Sequence, residues 1–167
     1  MSTHRIAQLL ALGLPLLGPA AAAQNATVVS IGDGDTLRLR QGGGTVTVRL
    51  ACIDAPETAH SPWGAQARAQ LKSLLPVDSV VVMHVTGSDR YGRVVAELSR
   101  GGQPINQILV ARGMAFVYWH YISGCDRSTY SRLESQARQG QVGVWSVPGG
   151  IPRPWDWRRR HHPRQGL

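Results

Sequence analysis

The chain has 167 residues and carries 18 Lys plus Arg against 10 Asp plus Glu, a formal net charge of +8 with histidine neutral. That length suits one domain with a tail and is too short for a TIM barrel or a two-halved dinucleotide fold. Two cysteines exclude a cysteine-rich scaffold and a four-cysteine zinc module, and a hydrophobic share of 43% excludes compositional disorder. Lys72 is the only lysine, so the positive charge is almost all guanidinium, whose planar fork matches phosphate oxygens. Composition thus points to a polyanionic partner without naming one.

His4 and Arg5 form a basic head, residues 6–17 are almost unbroken apolar sequence, and small residues lead up to Ala23. This pattern predicts a signal peptide over 1–23, cleaved after Ala23. Pro15 and Gly18 interrupt the run before it reaches the length of a membrane span. The expected product is exported, periplasmic or secreted, with no stable membrane insertion once the leader is removed. Beyond it, residues 26–31 and 36–40 read as short strands around an Asp-Gly-Asp turn. Gly42, Gly43 and Gly44 make a hairpin connection to a third strand at 45–51, with Val46, Val48 and Leu50 on one face.

A helix is predicted from Ser61, with Pro62 at its first helical position and Ala67, Leu71, Leu74 and Leu75 as its apolar stripe. Strands at 79–85 and 93–98 flank a turn at 89–92. A short helix at 103–112 closes on Gly113, and a third at 128–139 turns Tyr130, Leu133 and Ala137 inward. Five strands with late helices suggest a mainly β protein, a small barrel plus three helices. Residues 24–150 form the domain, and residues 151–167 a basic tail. The tail holds five arginines against Asp156, with Trp155, Trp157, His161, His162 and three prolines. It is expected to be mobile and to tether nucleic acid electrostatically; a merely solubilising tail is the alternative, and a fold-back of Trp155 onto the domain a further one, since an exposed pair of tryptophans is unusual.

The acidic residues fall at loops. Asp33 and Asp35 lie in the first turn, and Asp54 and Glu57 follow the third strand. Oxygen clusters of this kind suit a hard cation such as Ca²⁺ or Mg²⁺. Arg49 leads into Asp54, and Arg93 follows Asp89 across a Tyr91-Gly92 turn. Carboxylates for a cation, two arginines for phosphate charge and a glutamate to activate water would serve phosphodiester hydrolysis. Taken residue by residue, the same groups also fit turn-forming Asp-Gly pairs and surface ion pairs.

The ordered set Asp33-Gly34-Asp35-Thr36, Arg49 through Glu57, Asp89-Arg90-Tyr91-Gly92-Arg93, Asn106 with Gly113, and Glu134, Ala137, Gly143 and Trp145 resembles the staphylococcal nuclease family over about residues 26–146. The resemblance implies a five-stranded oligonucleotide-binding type barrel with three helices. It implies Ca²⁺ as cofactor, with Asp35, Asp54 and the Ala55 carbonyl as ligands and Asp33 as a nearby carboxylate. It makes Glu57 the general base and Arg49 and Arg93 the phosphate clamp. The implied activity is Ca²⁺-dependent cleavage of DNA and RNA with little base specificity, leaving 3′-phosphates, by a monomer. Trp119 and Tyr121 match the family's nucleotide-pocket positions by spacing, Tyr118 reads as a core residue and Tyr91 as packing.

After export Cys52 and Cys125 are able to pair and close a long loop, while two free thiols fit the sequence as well. His60, His84 and His120 lack ligand spacing and read as ordinary surface or edge residues. Two rival readings share the charge. One is a catalytically silent nucleic-acid-binding barrel. The other is an exported protein whose tail binds an anionic surface polymer.

Overall fold

The computed structural model describes residues 23–161. The signal-peptide reading falls on 1–23 and so lies almost wholly outside the described residues, as do the last six residues of the expected tail. No described helix is long and apolar enough to cross a membrane.

Alternation of apolar and polar residues builds the sheet. Strands β1 (Gln24–Ile31), β2 (Thr36–Gln41) and β3 (Gly44–Leu50) form an antiparallel meander. Two-residue β4 (Ile53–Asp54) and helix α1 (Trp63–Leu74) come next, before strands β5 (Val80–Ser88) and β6 (Val94–Arg100). β5 pairs with β1, β6 pairs with β5, and a parallel pairing of β6 with β3 closes the barrel. Register shifts at Val28/Ser30 and Val85/Gly87 bend the strands, as closure of so small a barrel requires. Val28, Leu37, Leu39, Val48, Leu50, Val81, Met83, Ala96 and Leu98 fill the interior. The five predicted strands are therefore present, in a closed barrel.

Short β7 (Gln103–Pro104) pairs with the end of β6 and leads into α2 (Ile105–Ala111). Then come β8 (Phe116–Val117), which pairs with β4, a 3₁₀ turn at Trp119–Tyr121, α3 (Arg127–Gln139) and a 3₁₀ turn at Gly143–Trp145. α1 buries Ala67 and Leu71 and runs into buried Leu75, while α3 buries Tyr130 and Ala137. The expected Ser61 cap is not used: Pro62 stands at the cap position of α1, with no side-chain cap bond. Cys52 and Cys125 form a disulfide that ties the β3–β4 turn to the loop before α3, with Cα atoms 6.5 Å apart.

Asp126, rather than Ser128, begins α3. Its carboxylate accepts from the backbone N–H groups of Ser128 at 3.0 Å and Thr129 at 3.2 Å, satisfying helix donors that lack partners. The Thr129 and Ser128 hydroxyls and these amides hold its pKa at about 2, below the ordinary 3.8. A depressed carboxylate contributes stability above its unfolded value and loses it as pH falls through the folded one. In urea unfolding, the advantage of the natural chain over Asp126→Asn should therefore shrink between pH 3.8 and about 2. A difference that stays constant over that range would refute the cap's role.

The expected mobile tail is, over residues 151–161, a docked part of the domain. Helix α4 (Pro154–His161) begins with a proline, tolerated in a first turn because no intrahelical donor is needed there. Ile151 and Pro154 are buried. Trp155 lies parallel to Tyr118 with centroids 4.9 Å apart, and Arg153 sits 4.1 Å above Phe116 and 4.6 Å above Trp145. Two prolines and five charges over residues 151–161 resist a helix in isolation. The aromatic faces obtain their packing only from the rest of the chain. The domain thus extends beyond Gly150, at least to His161.

Candidate active site

The β1–β2 turn is shaped by Asp33, whose Oδ1 accepts from the N–H groups of Asp35 at 3.0 Å and Thr36 at 2.7 Å. This Asx turn faces Asp35 inward, where it is only 6% exposed. Strand register pairs Thr36 with Arg49, which brings the arginine beside Asp35. Arg49 Nη1 lies 2.6 Å from Asp35 Oδ2 and its Nη2 2.7 Å from Asp54 Oδ1. Asp54 is 1% exposed and is fixed by the pairing of β4 with β8. The Ala55 N–H donates to Asp35 Oδ2 at 2.6 Å, so the Ala55 backbone lies against the same carboxylate.

Glu57 completes the acidic edge from a loop folded back on α1. Its carbonyl accepts from the His60 N–H at 2.8 Å. Gly64 packs so closely that a Cβ there would stand 1.9 Å from the Glu57 carbonyl oxygen, so only glycine allows this approach. Asp33, Asp35, Arg49, Asp54 and Glu57 are thus assembled from the first turn, β3, β4 and the following loop.

Burial raises the Asp35 carboxyl to about 7, opposed by Arg49 and reinforced by the negative charges of Asp33 and Asp54. For Arg49, burial works against the charged form, but Asp35, Asp54 and Asp33 outweigh it and hold the guanidinium above its ordinary value. The pocket therefore carries more carboxylate than Arg49 alone compensates.

Arg93 stands at the rim. Its Nε donates to Asp89 Oδ2 at 2.7 Å and its Nη1 to Thr36 Oγ1 at 3.4 Å, next to Asp35. Tyr91 is not a packing residue: it is 69% exposed, with the Arg90 and Arg93 guanidiniums 4.8 and 5.5 Å from its ring centre.

The aromatic assignments change. Trp119 Nε1 donates to Glu134 Oε2 at 3.0 Å, and Arg127 covers its ring at 5.2 Å, so this residue is turned to α3. Tyr118, expected in the core, is only half-buried, with its ring against Trp155 and Tyr121. Its phenol is held above the ordinary value by burial and then by the charge of Asp54. Tyr121 is 59% exposed and meets Tyr118 edge-on at 4.8 Å.

Arg158 of α4 is the site residue that sequence reasoning missed. Its Nη2 lies 2.7 Å from Asp54 Oδ2, and its Nη1 lies 2.7 Å from Glu57 Oε1 and 3.1 Å from Asp54 Oδ1. His60, expected as a surface or edge residue, is 4% exposed beneath Trp157, stacked at 4.0 Å. A run of three arginines was the available signal, but nothing in it singles out the first.

Among the described residues no three His, Cys, Asp or Glu converge as a ready cage for a metal. A cation would draw on the Asp35 and Asp54 carboxylates, a backbone carbonyl and water, a hard oxygen set that fits Ca²⁺. The unbalanced negative charge around Asp35 favours such a guest.

The family model of the staphylococcal nuclease homologues matches residues 47–147. A protein of Shigella flexneri named micrococcal nuclease is 41% identical over 150 residues, covering 84% of each chain. An Escherichia coli protein named uncharacterized endonuclease is 35% identical over 134 residues, 80% of this chain and 84% of that one. Protein ParB of Escherichia coli is 36% identical over 161 residues, 91% of this chain and 89% of that one.

Proposed function

The chain belongs to the staphylococcal nuclease family, and on that premise we propose that it is a Ca²⁺-dependent nuclease, cleaving DNA and RNA with little base specificity to leave 3′-phosphates. The observation that carries the proposal is the convergence of Asp35, Arg49, Asp54 and Glu57 from separate segments onto one partly buried site. The nuclease and endonuclease names of its relatives place phosphodiester hydrolysis first among the chemistries this set could perform.

Asp35 and Asp54, with the Ala55 carbonyl, would hold the cation. When bound, Ca²⁺ supplies positive charge that offsets the negative charge gained by the phosphate during attack. Glu57 withdraws a proton from the attacking water as its oxygen bonds to phosphorus, and the 5′-oxygen of the next nucleotide departs in line. Arg49 and Arg93 donate to the non-bridging phosphate oxygens; in Arg93 Nε is held by Asp89 and Nη1 makes one long contact to Thr36, which leaves Nη2 and the second Nη1 proton for this. Contacts to phosphate carry no base information, which accounts for the low specificity. Exposed Tyr91 and Tyr121 offer ring faces to bases at the rim.

The signal-peptide-like pattern of residues 1–23 and the Cys52–Cys125 disulfide both support a reading of export to an oxidising compartment. Cleavage of an end-labelled oligonucleotide, DNA or RNA, tests the whole reading. Excess chelator should abolish cleavage, and Ca²⁺ should restore it better than Mg²⁺. Full cleavage in excess chelator would overturn the metal dependence. No cleavage under any cation would return the chain to a silent binding barrel.

A further inference from the structure

We propose that α4 is a built-in inhibitory strap: Arg158 occupies the carboxylates of Asp54 and Glu57 and must leave them before a divalent cation and a phosphodiester can enter. The inference rests on reading these carboxylates as cation ligand and base. It follows from how completely Arg158 engages them. Asp54 Oδ2 accepts from Arg158 Nη2, and Asp54 Oδ1 is shared between Arg49 Nη2 and Arg158 Nη1. Both oxygens of the 1%-exposed Asp54 are thus engaged, Oδ1 twice and Oδ2 once, and Arg158 covers the only one that Arg49 leaves. Glu57 Oε1 is held by the same Nη1, an ion pair that lowers its basicity and has to be exchanged for the carboxylate to act at full strength as a base. Arg49 reaches the site from β3, inside the barrel, whereas Arg158 reaches it from a helix laid over the outside, so Arg158 is the guanidinium that can withdraw.

The helix that delivers Arg158 is anchored at its other end. Buried Ile151 and Pro154, the stack of Trp155 on Tyr118, and Arg153 above Phe116 and Trp145 fix its start. Trp157 lies between His60 at 4.0 Å and His161 at 3.9 Å, both nearly parallel to it. The last turn is different: Arg159, Arg160 and His161 are exposed. A strap built this way is held by aromatic packing but closed by ion pairs, and ion pairs can be exchanged. A divalent cation competes with Arg158 for the carboxylates. A phosphate backbone competes with the carboxylates for Arg158 and is drawn by the exposed arginines beside it. Cation and nucleic acid together satisfy both halves of the broken pair, so the substrate takes part in opening its own site.

A binding-competent state populated at roughly 1–10% lowers apparent affinity about 10- to 100-fold. The test is calorimetric titration of Ca²⁺ into the intact chain without nucleic acid, for the natural protein, Arg158→Gln, Trp157→Ala and Arg160→Gln. Arg158→Gln should bind Ca²⁺ about 10- to 100-fold more tightly. Trp157→Ala loosens the helix without touching a carboxylate and should gain in the same direction by a smaller factor. Arg160→Gln removes the same charge from the exposed face and should leave affinity unchanged. Equal affinity in Arg158→Gln and the natural chain would overturn the strap. So would an equal gain in Arg160→Gln, which would reduce the effect to net charge. Oligonucleotide cleavage measured in parallel separates the two readings. Ca²⁺-dependent cleavage with equal affinities sinks the strap alone. Absence of both Ca²⁺ binding and cleavage in every variant sinks the strap together with the nuclease reading.

Discussion

Glu57→Gln should lower the rate of the bond-breaking step by about 10²–10⁴-fold, the range in which a positioned base acts, while oligonucleotide affinity holds or improves. The substitution keeps the shape of the side chain. The loop that carries it is fixed through its backbone, by the His60 N–H on the Glu57 carbonyl and by the close approach of Gly64. Positioning should therefore survive. A neutral amide also holds Arg158 less strongly than a carboxylate, so the strap weakens and binding has no reason to suffer. Single-turnover cleavage at saturating Ca²⁺, set beside equilibrium binding of the same oligonucleotide, separates the two effects. A rate within about threefold of the natural chain would remove Glu57 from the base role. A parallel loss of affinity and rate would make it a substrate-binding group instead.

The barrel was legible because period-two alternation survives along five strands. Leu37 and Leu39 face inward between exposed Arg38 and Arg40, and Val48 and Leu50 flank Arg49. The position of Asp35 beside Arg49 follows from the same pattern, since a turn of known length sets the strand register. Strands β4 and β8 have two residues each, too few for any periodicity. The orientations of Tyr118 and Trp119 were not legible because the strand stops at Val117 and a 3₁₀ turn takes over at Trp119. Face assignment by twos fails where residues begin to step by about 120°. The docking of α4 left a single local trace, the pair Trp155 and Trp157, which are unusual as exposed residues. Arg158 meets Asp54 and Glu57 across 104 and 101 positions, and two prolines with five charges over residues 151–161 read locally as unstructured. The helix exists because Tyr118, His60 and Phe116 already form the surface it covers, which no window along the chain contains.

Asn106→Ala should cost about 3–5 kcal/mol of folding stability, a large part of the roughly 5–15 kcal/mol that a domain has. The barrel seam explains the size of the effect. The parallel pairing of β3 with β6 ends at Leu50 and Ala96, after which the chain turns away through Cys52, whose φ is +65°. Beyond that point β6 has lost its neighbour, and the Asn106 side chain takes its place. Its Oδ1 accepts from the Leu98 N–H at 3.0 Å, and its Nδ2 donates to the carbonyls of Ala51 at 3.0 Å and Ala96 at 3.2 Å. The Ala96 carbonyl also accepts from the Ala51 N–H at 2.8 Å and would keep a partner. The Leu98 N–H and the Ala51 carbonyl would lose the amide, and each buried group left unpaired costs about 1–3 kcal/mol. Urea unfolding of Asn106→Ala beside Asn106→Leu separates this from packing, because leucine restores most of the volume but none of the polar contacts. A similar loss in both variants assigns the effect to the hydrogen bonds. Recovery in Asn106→Leu would assign it to the cavity, and a loss under about 1 kcal/mol in both would mean the seam holds without the amide. Because Asp54 lies just three residues beyond Ala51, the first outcome should also lower Ca²⁺ affinity in whatever fraction remains folded.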